Sequence, residues 1–399
     1  MGKVHGVNYP FDASAVVKAI KNCLPAQSEA FALHEPCLEG KELVYLADCI
    51  RSGWVSYAGS YVTQFETALA AYTGVKRAVA VVNGTVALEM CLKLAGVRPG
   101  DEVLIPALTF VATANAVSHC GAIPHFVDSE ESTLGMDAGR LGEYLAQSAE
   151  VRADGTYNKG TGRRIGAVIP VHTYGHPVDL DPLAEVATAF RLIMVEDAAE
   201  SLGSLYKGRH TGGWGLLSAL SFNGNKTITT GGGGAILTND DDLAARAKHL
   251  TTTAKVPHRW SFDHDEVGYN YRMPNINAAL GCAQLEQLPG FLKRKRELAQ
   301  RYDEEFCQMA GVRFFREPVL ARSNYWLNVL LLESDDAAGR DVLLEQTHAN
   351  GIMTRPAWTL MHRLPMYRHC PRMGLPVAES LERRLLNLPS GPKLWPEGN

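Results

Sequence analysis

A lysine among small, uncharged residues is the first feature that could do chemistry. Residues 221–230 read SFNGNKTITT, in which Lys226 is the single charged side chain, and four glycines follow at 231–234. An amine in this setting is typical of a nucleophile that forms a Schiff base with an aldehyde, although most lysines are simply solvated. The segment lacks the Gly-Lys-Ser/Thr ending of a nucleotide-binding P-loop.

Two further motifs carry groups that a bound cofactor could use. Residues 192–195 form an apolar run that predicts a buried strand, and Asp197 follows it at the edge where open α/β sheets bind ligands. Upstream, Gly84 and Thr85 begin a helical pattern; a helix N-terminus suits a phosphate, and glycine lets a ligand approach the backbone. Taken singly, Asp197 could cap a helix and Thr85 could be an ordinary N-cap.

The order of the three motifs matches the needs of one cofactor. Pyridoxal 5′-phosphate requires a lysine for its aldehyde, an acid beside its pyridinium nitrogen and a cradle for its phosphate. Lys226, Asp197 and the helix start at Gly84 supply these groups. The combination predicts an enzyme that uses pyridoxal phosphate.

The elements that must position these motifs alternate along the chain. Short apolar runs are separated by segments of helical period, a pattern typical of βαβ units and a mostly parallel sheet. The predicted strands lie at 78–82, 102–105, 123–127, 166–171, 192–195, 218–222 and 235–238. We predict an N-terminal arm at 1–30, a large cofactor-binding domain at 31–260 and a small α+β domain at 261–399.

On these motifs, the chain resembles the DegT/DnrJ/EryC1/StrS family of sugar aminotransferases from about Leu33 to the C-terminus. The resemblance is carried by ordered segments at 52–56 (SGWVS), 83–85 (NGT), 106–113 (PALTFVAT), 170–175 (PVHTYG), 196–200 (EDAAE), 221–226 (SFNGNK) and 268–274 (GYNYRMP). It implies the α/β fold type I architecture of pyridoxal-phosphate-dependent transferases, similar to aspartate aminotransferase. That fold has a mostly parallel central sheet and a smaller C-terminal α+β domain.

The resemblance also implies roles for individual residues. Lys226 would be the catalytic lysine that binds the cofactor's aldehyde, and Asp197 would pair with the pyridine nitrogen. The remaining cofactor contacts would be the phosphate ligands Gly84, Thr85 and Ser221, the ring neighbours Phe110, Ala199 and Glu200, and Asn270, which would reach across a homodimer interface. Phe110 could instead belong to the core and Asn270 to a turn. Members that dehydrate sugars carry His in place of the lysine, so Lys226 favours amino transfer.

For the substrates, the resemblance implies L-glutamate as donor and a nucleotide-linked 4-keto-6-deoxy sugar as acceptor, with pyridoxamine phosphate as the aminated cofactor. Residues 222–226 (FNGNK), the four glycines at 231–234 and residues 250–255 (LTTTAK) are most similar to enzymes on the routes to legionaminic acid and bacillosamine. These aminate C4 of UDP-2-acetamido-2,6-dideoxy-hexos-4-ulose for surface glycans. The alternatives are GDP-4-keto-6-deoxymannose, as in perosamine formation, and a pyridoxal-phosphate-dependent sugar dehydratase. Candidate substrate contacts are Trp54, Ser56, Tyr57, Arg355 and His362, of which the last two could equally have packing roles.

The composition argues against several other classes of protein. The chain has 39 Lys and Arg against 43 Asp and Glu, and a net charge of -4 does not suit binding of nucleic acid through bulk positive charge. We see no signal peptide, no apolar segment long enough for a membrane and no C-x-x-C pair among the eight cysteines. We therefore expect a cytoplasmic protein with reduced thiols, no metal and no membrane partner.

Overall fold

Strands and helices largely alternate between residues 77 and 197, as the sequence predicts. The structure is a computed structural model that describes residues 10–26 and 30–394. The strands are β1 (Arg77–Val81), β2 (Glu102–Pro106), β3 (Ile123–Val127), β4 (Ala149–Arg152), β5 (Gly155–Asn158), β6 (Arg164–Val168), β7 (Ile193–Asp197), β8 (Leu205–Tyr206), β9 (Arg209–His210), β10 (Leu217–Ser221), β11 (Gly234–Thr238), β12 (Val312–Phe314), β13 (Ala321–Arg322), β14 (Asn328–Leu332), β15 (Arg355–Pro356) and β16 (Leu385–Leu388). The α-helices are α1 (Ala13–Cys23), α2 (Glu42–Ser52), α3 (Ser60–Thr73), α4 (Gly84–Leu94), α5 (Val111–His119), α6 (Ala138–Ser148), α7 (Leu180–Ala189), α8 (Asp241–Thr251), α9 (Asn275–Phe306), α10 (Ala337–Ala349) and α11 (Pro376–Arg384).

The central sheet has the strand order β1-β11-β10-β7-β6-β2-β3. The strands β10, β7, β6, β2 and β3 run parallel, and β11 pairs antiparallel with both β10 and β1. Helices cover both faces, so β2 and β11 are buried along their whole length. The predicted mostly parallel sheet is confirmed, and the β4–β5 hairpin that extends it from β6 is an element that the sequence pattern did not predict.

The C-terminal part is organised around a long helix and a second sheet. Helix α9 spans 32 residues, and beyond it β12, β14, β16 and β15 form a four-stranded antiparallel sheet. Helix α1 buries Val16 and Ile20 in the same hydrophobic cluster as Leu298 and Leu330, so this part of the predicted arm shares its core with the C-terminal part. Residues 1–9 and 27–29 of that arm lie outside the described residues, and the three-part division stays a prediction.

A small third sheet brings the two parts of the chain together beside the central sheet. Strand β13 pairs with β8, which follows the end of β7, and β8 pairs with β9. The pairing places residues 323–326 next to the carboxyl end of the central sheet. Within residues 10–26 and 30–394, no helix has the length and apolar character needed to cross a membrane.

Candidate active site

The carboxyl ends of the parallel strands surround a cavity of about 220 Å³. All of the predicted cofactor residues except Asn270 line it: Gly84, Thr85, Phe110, Asp197, Ala199, Glu200, Ser221 and Lys226. The residues that the sequence reasoning did not assign to the site are Asn83, Leu88, Thr109, Ala112, Thr113, Val171, Asn223, Asn225, Gly232, Gly233, Trp326 and Trp358. The structure therefore brings the three motifs of the sequence to one place.

The start of α4 forms one end of this cavity. Asn83 is the N-cap, and its side-chain oxygen accepts a hydrogen bond from the N–H of Val86 at 2.9 Å, so Thr85 is free of the capping role that was its alternative. The first N–H groups of a helix lack partners within the helix and attract an anion. A Cβ on Gly84 would lie 2.8 Å from the Cβ of Ser221, so glycine is needed for the serine to approach the helix start.

At the glycine run, the backbone that enters β11 passes close to the backbone that begins α4. Gly234 is the first residue of β11 and pairs with both Val81 and Ser221. A Cβ on Gly234 would lie 2.5 Å from the carbonyl carbon of Asn83, and Gly231 adopts a φ of +78°, which favours glycine. The run therefore lets β11 pass close to the start of α4.

Asp197 ends β7 and is held in a fixed orientation. Its Oδ2 accepts a hydrogen bond from the hydroxyl of Thr113 at 2.7 Å, and its Oδ1 accepts one from the N–H of Ala199 at 3.2 Å. Thr113 in turn lies 2.9 Å from the hydroxyl of Thr109. A carboxylate fixed in this way at the cavity wall can pair with a cationic ring nitrogen.

Lys226 lies between a carboxyl group and an aromatic ring. Its Nζ is 3.4 Å from Oε1 of Glu200 and 4.0 Å from the ring centroid of Trp326. The other oxygen of Glu200 accepts a hydrogen bond from the N–H of Tyr174 at 2.8 Å. Burial raises the pKa of Glu200 to about 7, against the opposing effects of the Lys226 charge and the Tyr174 N–H. This carboxyl group can therefore gain or lose a proton near neutral pH.

Two tryptophans form a wall that the sequence reasoning missed. Trp358 stacks on Tyr174 with centroids 4.7 Å apart and meets Phe110 edge-on at 6.1 Å. The indole N–H of Trp326 donates a hydrogen bond to the carbonyl of Asn225 at 2.7 Å. Both tryptophans come from C-terminal loops. In the sequence, Trp326 lies in the apolar run at 325–332, which predicts a strand and not a site residue. No motif around Trp358 marks it as part of a site.

The predicted substrate residues lie outside this cavity in the single chain. Trp54, Ser56 and Tyr57 are exposed in the segment after α2, where the carbonyl of Trp54 accepts a hydrogen bond from the side chain of Asn275 at 2.6 Å. Arg355 is exposed and donates to the carbonyl of Thr354 at 2.8 Å.

Two other predicted residues also lie away from the cavity. The side chain of His362 is largely buried, and its Nε2 is 3.4 Å from the carboxylate of Glu379. Asn270 is exposed and pairs with Thr252 in an isolated bridge. The roles of these residues stay predictions.

The donor set fits pyridoxal phosphate on the evidence of the cavity itself. One end of the cavity is the start of a helix, where a Cβ on Gly84 would collide with Ser221. The Asp197 carboxylate lies in the cavity wall, and the amine of Lys226 lines the same cavity. These are the three groups that the cofactor requires. The residues that would hold it are therefore in place within one chain.

Comparison with known proteins agrees with this geometry. The sequence pattern of the DegT/DnrJ/EryC1/StrS aminotransferase family matches residues 36–398. The chain belongs to this family. It is 39% identical over 362 residues to a GDP-perosamine synthase of Escherichia coli O157:H7, covering 91% of this chain and 93% of that protein. It is 37% identical to the putative pyridoxal phosphate-dependent aminotransferase EpsN of Bacillus subtilis, covering 90% of each.

Solved structures of other proteins share the fold. The aminotransferase TlmJ from Streptoalloteichus hindustanus superposes with a TM-score of 0.81 at 30% identity, covering 90% of this chain and 93% of that one. DesI, solved in the presence of its TDP-sugar product, superposes with a TM-score of 0.79 at 29% identity, covering 91% and 88%. The predicted family, fold type I architecture and cofactor are confirmed. The protein is a pyridoxal-phosphate-dependent aminotransferase of nucleotide sugars.

Proposed function

We propose that the protein transfers the amino group of L-glutamate to C4 of GDP-4-keto-6-deoxymannose, a perosamine-type reaction for surface glycan synthesis. The similarity to three proteins named GDP-perosamine synthase, at 37% to 39% identity over about nine-tenths of the chain, supports this substrate. The motifs at 222–226, 231–234 and 250–255 favour the UDP-linked N-acetyl sugar, which is the second candidate. The comparisons support the GDP-linked alternative better.

The residues of the cavity have distinct parts in such a reaction. When bound, pyridoxal phosphate supplies an electron-accepting ring that stabilises negative charge on the carbon next to the transferred nitrogen. The amine of Lys226, which lines the same cavity, would take a proton from that carbon and return one. Glu200, 3.4 Å from this amine and with a pKa of about 7, can hold or release a proton beside it. Asp197, oriented by Thr113, would balance the positive charge of the ring nitrogen.

A homodimer with shared sites is part of this proposal. Helix α2 and the segment after it expose apolar side chains, among them Leu43 at 83%, Ile50 at 67% and Trp54 at 59% of their surface. An exposed apolar patch of this kind typically marks an interface. The cavity of about 220 Å³ is also smaller than the range of roughly 300–1,000 Å³ usual for ligand pockets. A second copy would bury the patch and complete the site. Asn270 and the residues after α2 of each subunit would then face the cavity of the other subunit.

Product analysis with a panel of nucleotide sugars tests the substrate. GDP- and UDP-linked 4-keto-6-deoxy sugars are incubated separately with enzyme, pyridoxal phosphate and L-glutamate, and both products are quantified by mass spectrometry. We expect 2-oxoglutarate and a GDP-linked 4-amino sugar in equal amounts. Amination of the UDP-linked N-acetyl sugar alone would replace the proposal by the second candidate. Loss of a sugar hydroxyl without 2-oxoglutarate would indicate a dehydratase instead.

A further inference from the structure

Helix α9 carries a lysine that lies wholly inside the protein. Lys295 has no exposed surface, and among the described residues no carboxylate lies within 4.0 Å of its Nζ. Its amine instead donates to the carbonyls of Trp326, at 3.2 Å, and Ser390, and lies 3.0 Å from Nε2 of His34. Burying an amine without a charged partner costs free energy, so stability alone does not explain why a lysine occupies this position. These three partners come from three distant segments of the chain.

One of these acceptors belongs to the tryptophan beside the catalytic lysine. The N–H of Trp326 donates to Oδ1 of Asn324 at 2.8 Å, its carbonyl accepts from Lys295, and its indole N–H donates to the carbonyl of Asn225 at 2.7 Å. Tyr325, just before it, has a φ of +48°, in the left-handed region that a tyrosine adopts only at a cost. The backbone and the ring of Trp326 are thus both fixed.

The face of Trp326 sets where the amine of Lys226 can lie. The ring centroid is 4.0 Å from Nζ, a distance at which an ammonium is attracted to the indole face. Glu200 lies 3.4 Å away from the same amine. The side-chain amide of Asn324 also donates to the carbonyl of Glu200 at 2.8 Å and to the hydroxyl of Thr227 at 3.2 Å. One loop therefore contacts the Lys226 amine through the indole ring, and it also holds the backbone of Glu200 and the side chain of Thr227.

We propose that Lys295 is a positioning residue for Lys226 and acts through Trp326. By fixing the Trp326 backbone, Lys295 holds the indole face that keeps the catalytic amine beside Glu200. Held in this way, the amine is directed at one place in the cavity, and it is less available to a reagent from solution than an amine that samples many positions. The proposal rests on the proposed function only for the role of Lys226 as the reacting amine.

Chemical labelling of the cofactor-free, full-length protein tests this positioning. The acetylation rate constant of Lys226 with acetic anhydride is measured at pH 8 by mass spectrometry, relative to other lysines of the same digest. Because loss of the indole face frees the amine from the contact that holds it beside Glu200, Trp326→Leu should raise the rate by between about 2-fold and about 30-fold. Lys295→Met should also raise the acetylation rate of Lys226, by about 2-fold or more. Lys293→Met, the same change at an exposed position of α9, should leave it unchanged.

The double variant decides whether Lys295 acts through Trp326. Adding Lys295→Met to Trp326→Leu should change the Lys226 rate no further, because the ring that Lys295 positions is already absent. A folded Lys295→Met protein with the wild-type rate would overturn the proposal, as would two effects that multiply in the double variant. Folding is checked by cooperative thermal unfolding, and where Lys295→Met does not fold, Lys295→Gln takes its place under the same criteria. No sugar enters the measurement, so its outcome is independent of the substrate panel.

Discussion

The carboxyl group of Glu200 should make the stability of the cofactor-free enzyme depend on pH in a way that a single amide substitution removes. Burial raises its pKa from the usual 4.5 to about 7, despite the nearby Lys226 charge and the Tyr174 N–H. The folded state therefore prefers the protonated carboxyl. The contribution of this preference to stability is fully present below pH 4.5 and is lost as the pH rises through 7.

The size of the effect follows from the two pKa values. A pKa difference of one corresponds to about 1.4 kcal/mol, so ionisation of Glu200 costs the folded state roughly 3 kcal/mol well above pH 7. Most of this cost appears between pH 5 and pH 8.5, where it amounts to between about 2 and about 3 kcal/mol. Glu200→Gln keeps the shape of the side chain and cannot ionise. The variant should therefore gain stability relative to the wild type by that amount over this interval.

Urea unfolding at a series of pH values measures the gain. Cofactor is removed and protein concentration is held constant, because bound ligand and assembly both change apparent stability. Glu143→Gln, at an exposed position of α6, is the matched control and should give a difference from the wild type that does not change with pH. If the free-energy difference for Glu200→Gln is also flat between pH 5 and pH 8.5, burial does not raise the pKa of this carboxyl and the reasoning fails.

Four other substitutions have defined outcomes. Lys226→Ala should still bind pyridoxal phosphate but lose turnover and the absorbance of covalently bound cofactor; full turnover would contradict its assignment. Arg355→Met should raise the KM for the nucleotide sugar far more than that for glutamate, and equal increases would count against a substrate contact. Gly234→Ala places a Cβ 2.5 Å from the backbone before α4 and should weaken cofactor affinity at least about tenfold in a fluorescence titration, unlike Gly224→Ala, which has open space. Burial lowers the pKa of His176 from 6.5 to about 3, so its contribution to stability, present above pH 6.5, falls as the pH drops. His176→Phe should therefore be about 2 kcal/mol more stable relative to wild type at pH 5 than at pH 8, and a constant difference in urea unfolding would refute this.

The sequence was informative wherever a predicted cofactor residue follows its own strand directly. Asp197 ends β7 and Ser221 ends β10, and Gly84 begins the helix after β1. Local patterns predict such strands, and parallel strands bring their carboxyl ends to one edge of the sheet, so the neighbourhood of these residues could be inferred. The same reasoning chose Thr85 as the possible N-cap, whereas the structure gives that role to Asn83.

The wall of the cavity could not be predicted in this way. Trp326 contacts Asn225 across 101 positions of sequence, and Asn324 contacts the carbonyl of Glu200 across 124. Such contacts depend on the pairing of β13 with β8, two-residue strands that no periodicity reveals. Lys295 is hidden for a similar reason, because it lies among charged residues of an amphipathic helix and only its tertiary neighbours show that it is buried.

Adjacent carboxylates on β7 show how the strand itself separates a structural acid from a candidate catalytic one. Successive side chains of a strand point to opposite faces, so only one of Glu196 and Asp197 can line the cavity. Glu196 is fully buried and accepts hydrogen bonds from the backbone of Gly212 and Gly215 at 2.7 Å and 2.6 Å, and from the His172 ring at 3.1 Å. Burial by itself would raise the pKa of Glu196, but these donors hold it below its usual value. Glu196 is thereby committed to shaping the turn before β10, and because its oxygens are occupied there, Asp197 is the carboxylate of this pair that remains to meet a ligand.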